Sequence, residues 1–243
     1  MAPFPEFADH LYIWIFGIIL PFLTGLQSSQ LSGGIRFDAP LRKKLYLSNS
    51  LLLAFAGSSV VILWAIKKRA FSSMGFQLPD WTNYTTLMFL LLIFIGLYVV
   101  DLFISLRKKK SAEEEEAWYE KSSFLPEKWR ELPSFVLLCL CAGIFEEIIY
   151  RGFMVTYFLQ DGTKSGIPWI AIFAPAFLFS LAHFYQGWMA VLKIFFFTLL
   201  LNFIFIQTKS LYPTMVIHFL IDLISGITGL RKKVSISEYP HNQ

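Results

Sequence analysis

The chain has 243 residues, of which 56% are hydrophobic and only 16% charged, with mean hydropathy +0.56 and a formal net charge of +4. These values exclude an ordinary soluble domain. The basic residues sit in short clusters beside apolar runs (Lys67 to Arg69, Arg107 to Lys110, Arg231 to Lys233). They therefore read as topology signals and headgroup anchors, and no basic face for nucleic acid is visible.

A hydrocarbon core about 30 Å thick takes about 20 apolar residues per helix. Seven stretches qualify: Leu11–Gln27, Tyr46–Ile66, Leu87–Leu106, Pro133–Leu159, Ile167–Tyr185, Trp188–Ile206 and Leu211–Leu230. The fold class is an all-α polytopic membrane protein, a bundle of about seven transmembrane helices around a polar intramembrane cavity. The first stretch is short, contains Pro21, and lacks the basic flank and cleavage site of a removable signal. Lys and Arg concentrate in the loops 28–45 and 107–132 and after residue 230, which favours an external N-terminus; the Lys67 cluster argues the other way. The organisation is 1–132, N-terminal helices with a polar cytoplasmic loop; 133–230, a core rich in intramembrane polar groups; and 231–243, a short polar tail. The polar loop places Lys108 to Lys110 within helical reach of Glu113 to Glu116, which predicts a solvated helix with i,i+4 pairs. Cys139 and Cys141 point to different helix faces and read as small buried hydrophobes.

The chemistry lies where charge costs most. The stretch "CAGIFEEIIYRGF", residues 141 to 153, carries three ionisable groups inside a predicted span, each penalised by roughly 2.5–3.5 kcal/mol on insertion scales. Glu147 and Arg151 are four apart, about 40° around a helix, and pair side by side. Glu146 is badly placed for the same arginine, so it faces elsewhere as an unpaired carboxylate suited to accept a proton. In "FLFSLAHFYQGW", Phe179 and His183 share a face, as do His218 and Asp222 in "YPTMVIHFLIDLISG". A histidine with a carboxylate one turn on is an oriented imidazole. Gly143 and Gly152 let a neighbouring helix approach. Asp101 and Lys193 each read as reaching the membrane surface. Asn202 either bonds a neighbouring helix or lines the cavity.

The segments "EEIIYR", "FLFSLAH" and "HFLID" resemble the three signatures of the CPBP (CAAX prenyl protease and bacteriocin-processing, or Abi) intramembrane proteases, over about Pro133 to Leu230. The resemblance implies a glutamate-dependent endopeptidase in which Glu146 and His183 activate water. It implies that Glu147 and Arg151, with Phe179, support the site, and that His218 and Asp222 stabilise the oxyanion. Asparagine stands at the Asp222 position in the better-known prenyl proteases. An ionised aspartate cannot donate to an oxyanion, so Asp222 is either protonated or charges and orients His218; the second reading is preferred. No cofactor or metal is implied, although Glu146, His183 and His218 leave a zinc site open. The implied partner is a membrane-anchored, lipidated or leader-bearing peptide or protein in a bilayer, in a prokaryotic plasma membrane. An immunity or scaffolding protein of the same fold, binding without cutting, is the alternative.

His183 directly precedes the tight Gln186-Gly187 turn, whereas Glu146 lies about 20 Å into its predicted span at 1.5 Å per residue. For the two to share a water, either the turn dips inward or the fourth helix starts before Pro133. A water-filled chamber open toward the Gln186 turn is predicted.

Overall fold

The computed structural model describes residues 5–23, 37–107, 122–161 and 169–238. Among them are seven main helices and no strand: α1 (Phe7–Leu23), α2 (Ala39–Ile66), α3 (Tyr84–Arg107), α4 (Trp129–Leu159), α5 (Trp169–Ala182), α6 (Trp188–Thr208) and α7 (Leu211–Glu238). Helices α2, α3, α4, α6 and α7 are long and apolar enough to cross a membrane. The chain is a multi-pass membrane protein. Helices α1 and α5 are shorter apolar helices among the described residues; α1 ends and α5 begins at the edge of the described chain.

The boundaries follow local chemistry. Asp38 caps α2, its side chain accepting from Leu41 N at 2.8 Å, with proline in the first helical positions. Gly187, at φ +94°, turns the chain between α5 and α6, and Lys209 closes α6 in the left-handed conformation. Helix α4 begins at Trp129 with a tight turn through Glu131, before Pro133, and α7 remains helical to Glu238 through most of the expected polar tail. The charged stretch 108–121 and the part of the first predicted span beyond residue 23 lie outside the described residues.

Glycines set the spacing around α4. A Cβ on Gly143 would lie 3.1 Å from Met215 O and from Phe219 Cβ of α7. One on Gly152 would lie 2.9 Å from Met74, in the turn after α2, and one on Gly57 of α2 would lie 2.5 Å from the Phe145 ring. Three neighbours thus press against the helix that carries Glu146 and Glu147. Its other residues (Ile148, Ile149, Phe153, Met154) form the main apolar core with Val60 and Trp64 of α2.

Buried ions fix both ends of the bundle. At one end Arg42 of α2 donates to Glu131 (Nε–Oε2, 2.8 Å), to Glu127 (2.9 Å) and to Phe37 O, while Tyr46 Oη donates to Phe124 O at 2.6 Å. This ties the 122–131 segment and the start of α4 to α2. At the other end Asp9 of α1 takes a two-pronged bond from Arg69, both contacts 2.7 Å, and Lys67 pairs with Glu6. Asp80 N donates to Thr208 O (2.8 Å) and Leu211 N to Gly75 O (2.9 Å), fastening the 71–83 segment across the α6–α7 turn. Hydrogen bonds from Thr82, then the Lys209 ammonium, hold the Asp80 carboxyl down to about 2. Asp101 and Lys193, both exposed, pair with each other between α3 and α6.

Removing one partner of a buried pair leaves the other charge uncompensated. Replacing Arg42 by Met should destabilise the folded protein by about 3 kcal/mol, read as a lowered thermal midpoint in detergent. An unchanged midpoint would show that the Glu127–Glu131 clasp is not holding the helices.

Candidate active site

The depth mismatch between Glu146 and His183 is resolved by helix length. Counted from the end where α4 finishes and α5 begins, Glu146 is thirteen residues from Leu159 and His183 fourteen from Trp169. At 1.5 Å per residue both lie about 20 Å in. The short α5 stops at Ala182, so His183 sits at depth even though it precedes a turn. Helix α4 also starts before Pro133, at Trp129, the other of the two alternatives that the sequence geometry left open.

Glu146 and Glu147 occupy a part of α4 wound in wide turns, Ala142–Glu146 and Ile148–Val155, a backbone form often found at functional sites. The two carboxylates have different surroundings. Glu147 is completely buried, and its Oε1 accepts from Arg151 Nη1 at 2.6 Å and from His218 Nδ1 at 2.8 Å. Glu146 keeps 17% of its side chain exposed, and its Oε2 lies 3.6 Å from His218 Nε2. Asp222 Oδ2 lies 3.6 Å from the same nitrogen, with 37% of its side chain exposed. Those two contacts are within ion-pair range but beyond hydrogen-bond length.

Asp222 thus stands beside His218, as their spacing suggests, and Glu147 takes the other ring nitrogen. His218 is oriented through Nδ1 by Glu147, 71 residues away in sequence, and Asp222, one turn along its own helix, stands at the other ring nitrogen. A carboxylate only accepts, so Nδ1 carries the proton and Nε2 faces the two exposed carboxylates. Glu147 therefore does more than steady α4. It contacts the imidazole directly.

His183 does not contact Glu146 through Nδ1, which lies 2.9 Å from Phe179 O and, facing a carbonyl, bears the proton. Its Nε2 is left as the accepting nitrogen. The Phe179 ring lies between the histidines, 4.6 Å from the His183 centroid and 5.8 Å from that of His218, and the Arg151 guanidinium sits 5.1 Å over it. Tyr185 stacks on the outer side of His183 at 6.1 Å, and Phe124 meets Tyr185 edge-on at 6.1 Å.

The residue whose place the sequence left open is Asn202 of α6. It is fully buried, accepts from Arg151 Nε at 3.1 Å and donates from Nδ2 to Ile172 O of α5 at 2.7 Å. A polar amide in the middle of an apolar helix was the available signal, and its partner could not be read from spacing because it lies 51 residues away. Cys139 is buried and Cys141 half-buried, both as free thiols. No three His, Cys, Asp or Glu side chains among the described residues form a group that could hold a metal ion.

Residues 128–224 match the family model described as type II CAAX prenyl endopeptidase Rce1-like. Over this segment the chain is similar to the CAAX protease family. The match runs from the residue before α4 to just beyond Asp222 and contains every group of the buried cluster, while α1 to α3 lie outside it. No curated protein and no solved structure matches the chain.

The Glu147–Arg151 pair predicts a specific double-mutant result. Arg151→Met alone should cost on the order of 3–5 kcal/mol, because a buried carboxylate loses its cation. Adding Glu147→Gln should recover most of that loss in thermal unfolding. Additive losses would mean that the two groups are not coupled.

Proposed function

We propose that this protein is an intramembrane endopeptidase that hydrolyses a peptide bond in a membrane-tethered, lipidated CAAX-like peptide or protein. The observation that carries the reading is the division of labour between adjacent glutamates. Glu147 is spent on Arg151 and His218 in full burial, whereas Glu146 is accessible and stands opposite the free edge of the same imidazole. The family match supports this reading, since the matched description names a prenyl endopeptidase.

In the proposed reaction Glu146 takes a proton from a water whose oxygen attacks the scissile carbonyl carbon. His183, locked through Nδ1, offers Nε2 to orient that water. Negative charge then develops on the carbonyl oxygen. His218, held by Glu147 and flanked by Asp222, is the group placed to donate a hydrogen bond from Nε2 when protonated. Asp222 cannot donate while ionised, so it acts on the imidazole's charge. Glu146 finally returns its proton to the departing amide nitrogen as the C–N bond breaks, leaving a carboxylic acid and an amine, which become carboxylate and ammonium once the second water proton transfers. No metal ion takes part in this scheme.

Reconstituted protein should cleave a farnesylated CAAX-type reporter peptide in proteoliposomes, with mass spectrometry locating the cut. Glu146→Gln should lower the rate by at least about 100-fold, the range for loss of a general base, with an unaltered thermal midpoint. Full activity in that variant would sink the mechanism. Incubation with EDTA followed by its removal should leave the wild-type rate unchanged; loss of activity restored by added zinc would replace the metal-free scheme.

A further inference from the structure

We infer that Asn202 of α6 is a positioning residue for the site, acting through Arg151 and Glu147 on the His218 imidazole. It lies outside all three sequence signatures. Its amide orientation is dictated by its neighbours. Arg151 Nε can only donate, so it requires Oδ1, and Ile172 O can only accept, so it requires Nδ2.

The result is one continuous buried chain: Ile172 O, Asn202, Arg151, Glu147, His218, crossing α5, α6, α4 and α7. Arg151 has little else to hold it. Nη1 meets Glu147, Nε meets Asn202, and Nη2 has no hydrogen-bond partner among the described residues. Without Asn202 the guanidinium would pivot on a single hydrogen bond above the Phe179 ring. The Glu147 oxygen it grips is the one that binds His218 Nδ1, so a pivot of the guanidinium moves the carboxylate and releases the imidazole. At its other end Asn202 grips α5 at Ile172, three residues before Pro175 and on the helix that delivers Phe179 and His183. A residue with no contact to either histidine thus controls the setting of both.

The test reads the imidazole directly. The chain has four histidines, so in selectively 15N-histidine-labelled full-length protein in nanodiscs a His218→Gln control assigns the His218 signals. Wild type should show the Nδ1–H form with a hydrogen-bonded proton. Asn202→Leu, which keeps volume but neither polar group, should shift His218 toward a mixture of both tautomers. Should leucine prevent folding, Asn202→Thr serves the same purpose, because its hydroxyl is too short to span Arg151 and Ile172. Asn202→Asp, which keeps the acceptor for Arg151 Nε, should retain the wild-type His218 pattern. An unshifted His218 in whichever of the first two variants folds would overturn the proposal, as would an aspartate variant as disturbed as leucine.

The kinetic arm rests on the peptidase reading: on the farnesylated reporter, Asn202→Leu should lower kcat about 10- to 100-fold with KM within twofold. Loss of the His218 signature in a wild-type background that cleaves nothing would uphold the positioning chain and reject the peptidase. An unshifted signature with active wild type would do the reverse.

Discussion

One carboxylate oxygen organises this molecule. Oε1 of Glu147 receives both the Arg151 guanidinium and the His218 imidazole, in complete burial, and through those two partners it connects four helices. Taking a carboxylate and a guanidinium out of water costs several kcal/mol each, offset only where the geometry is good and the hydrogen bonds are made. That requirement constrains the rest. α7 must come close enough for His218 to reach, which Gly143 eases because a Cβ there would be tight against Met215 and Phe219, and α6 presents Asn202 as the polar group at Arg151. The apolar core around Ile148 and Phe153 keeps water from competing for the same bonds.

The fold class was legible because hydropathy is a local property, and the long apolar runs placed five of the helices within a few residues of their observed positions. The i,i+4 relation between Glu147 and Arg151 was legible for the same reason. What could not be read was every contact between helices. Spacing coupled His218 to Asp222, its neighbour one turn away, whereas the shorter bond joins His218 to Glu147 on another helix. Asp101 and Lys193 each looked like a side chain reaching for the surface, since a sequence does not show that α3 lies against α6. The wide turns of α4 have no compositional signature either, and they alter which side chains share a face.

Helix length, more than composition, places the histidines. A polar residue beside a turn is normally a surface residue, and His183 escapes that rule because α5 stops at Ala182 and α6 starts only at Trp188. The early start of α4, fastened by Glu131 to Arg42, is the complementary adjustment. Both are departures from an even bundle; the first borders the charged cluster, and the second lies at the start of α4.

The Arg42 clasp also links two parts of the chain that the family match separates. Residues 128–224 carry the match, yet Arg42 of α2 fixes Glu131 in the first turn of α4, and Gly57 of α2 admits the Phe145 ring beside Glu146. The matched segment therefore takes part of its packing from a helix outside it, and the face of α4 behind the glutamates is completed by residues far earlier in the sequence.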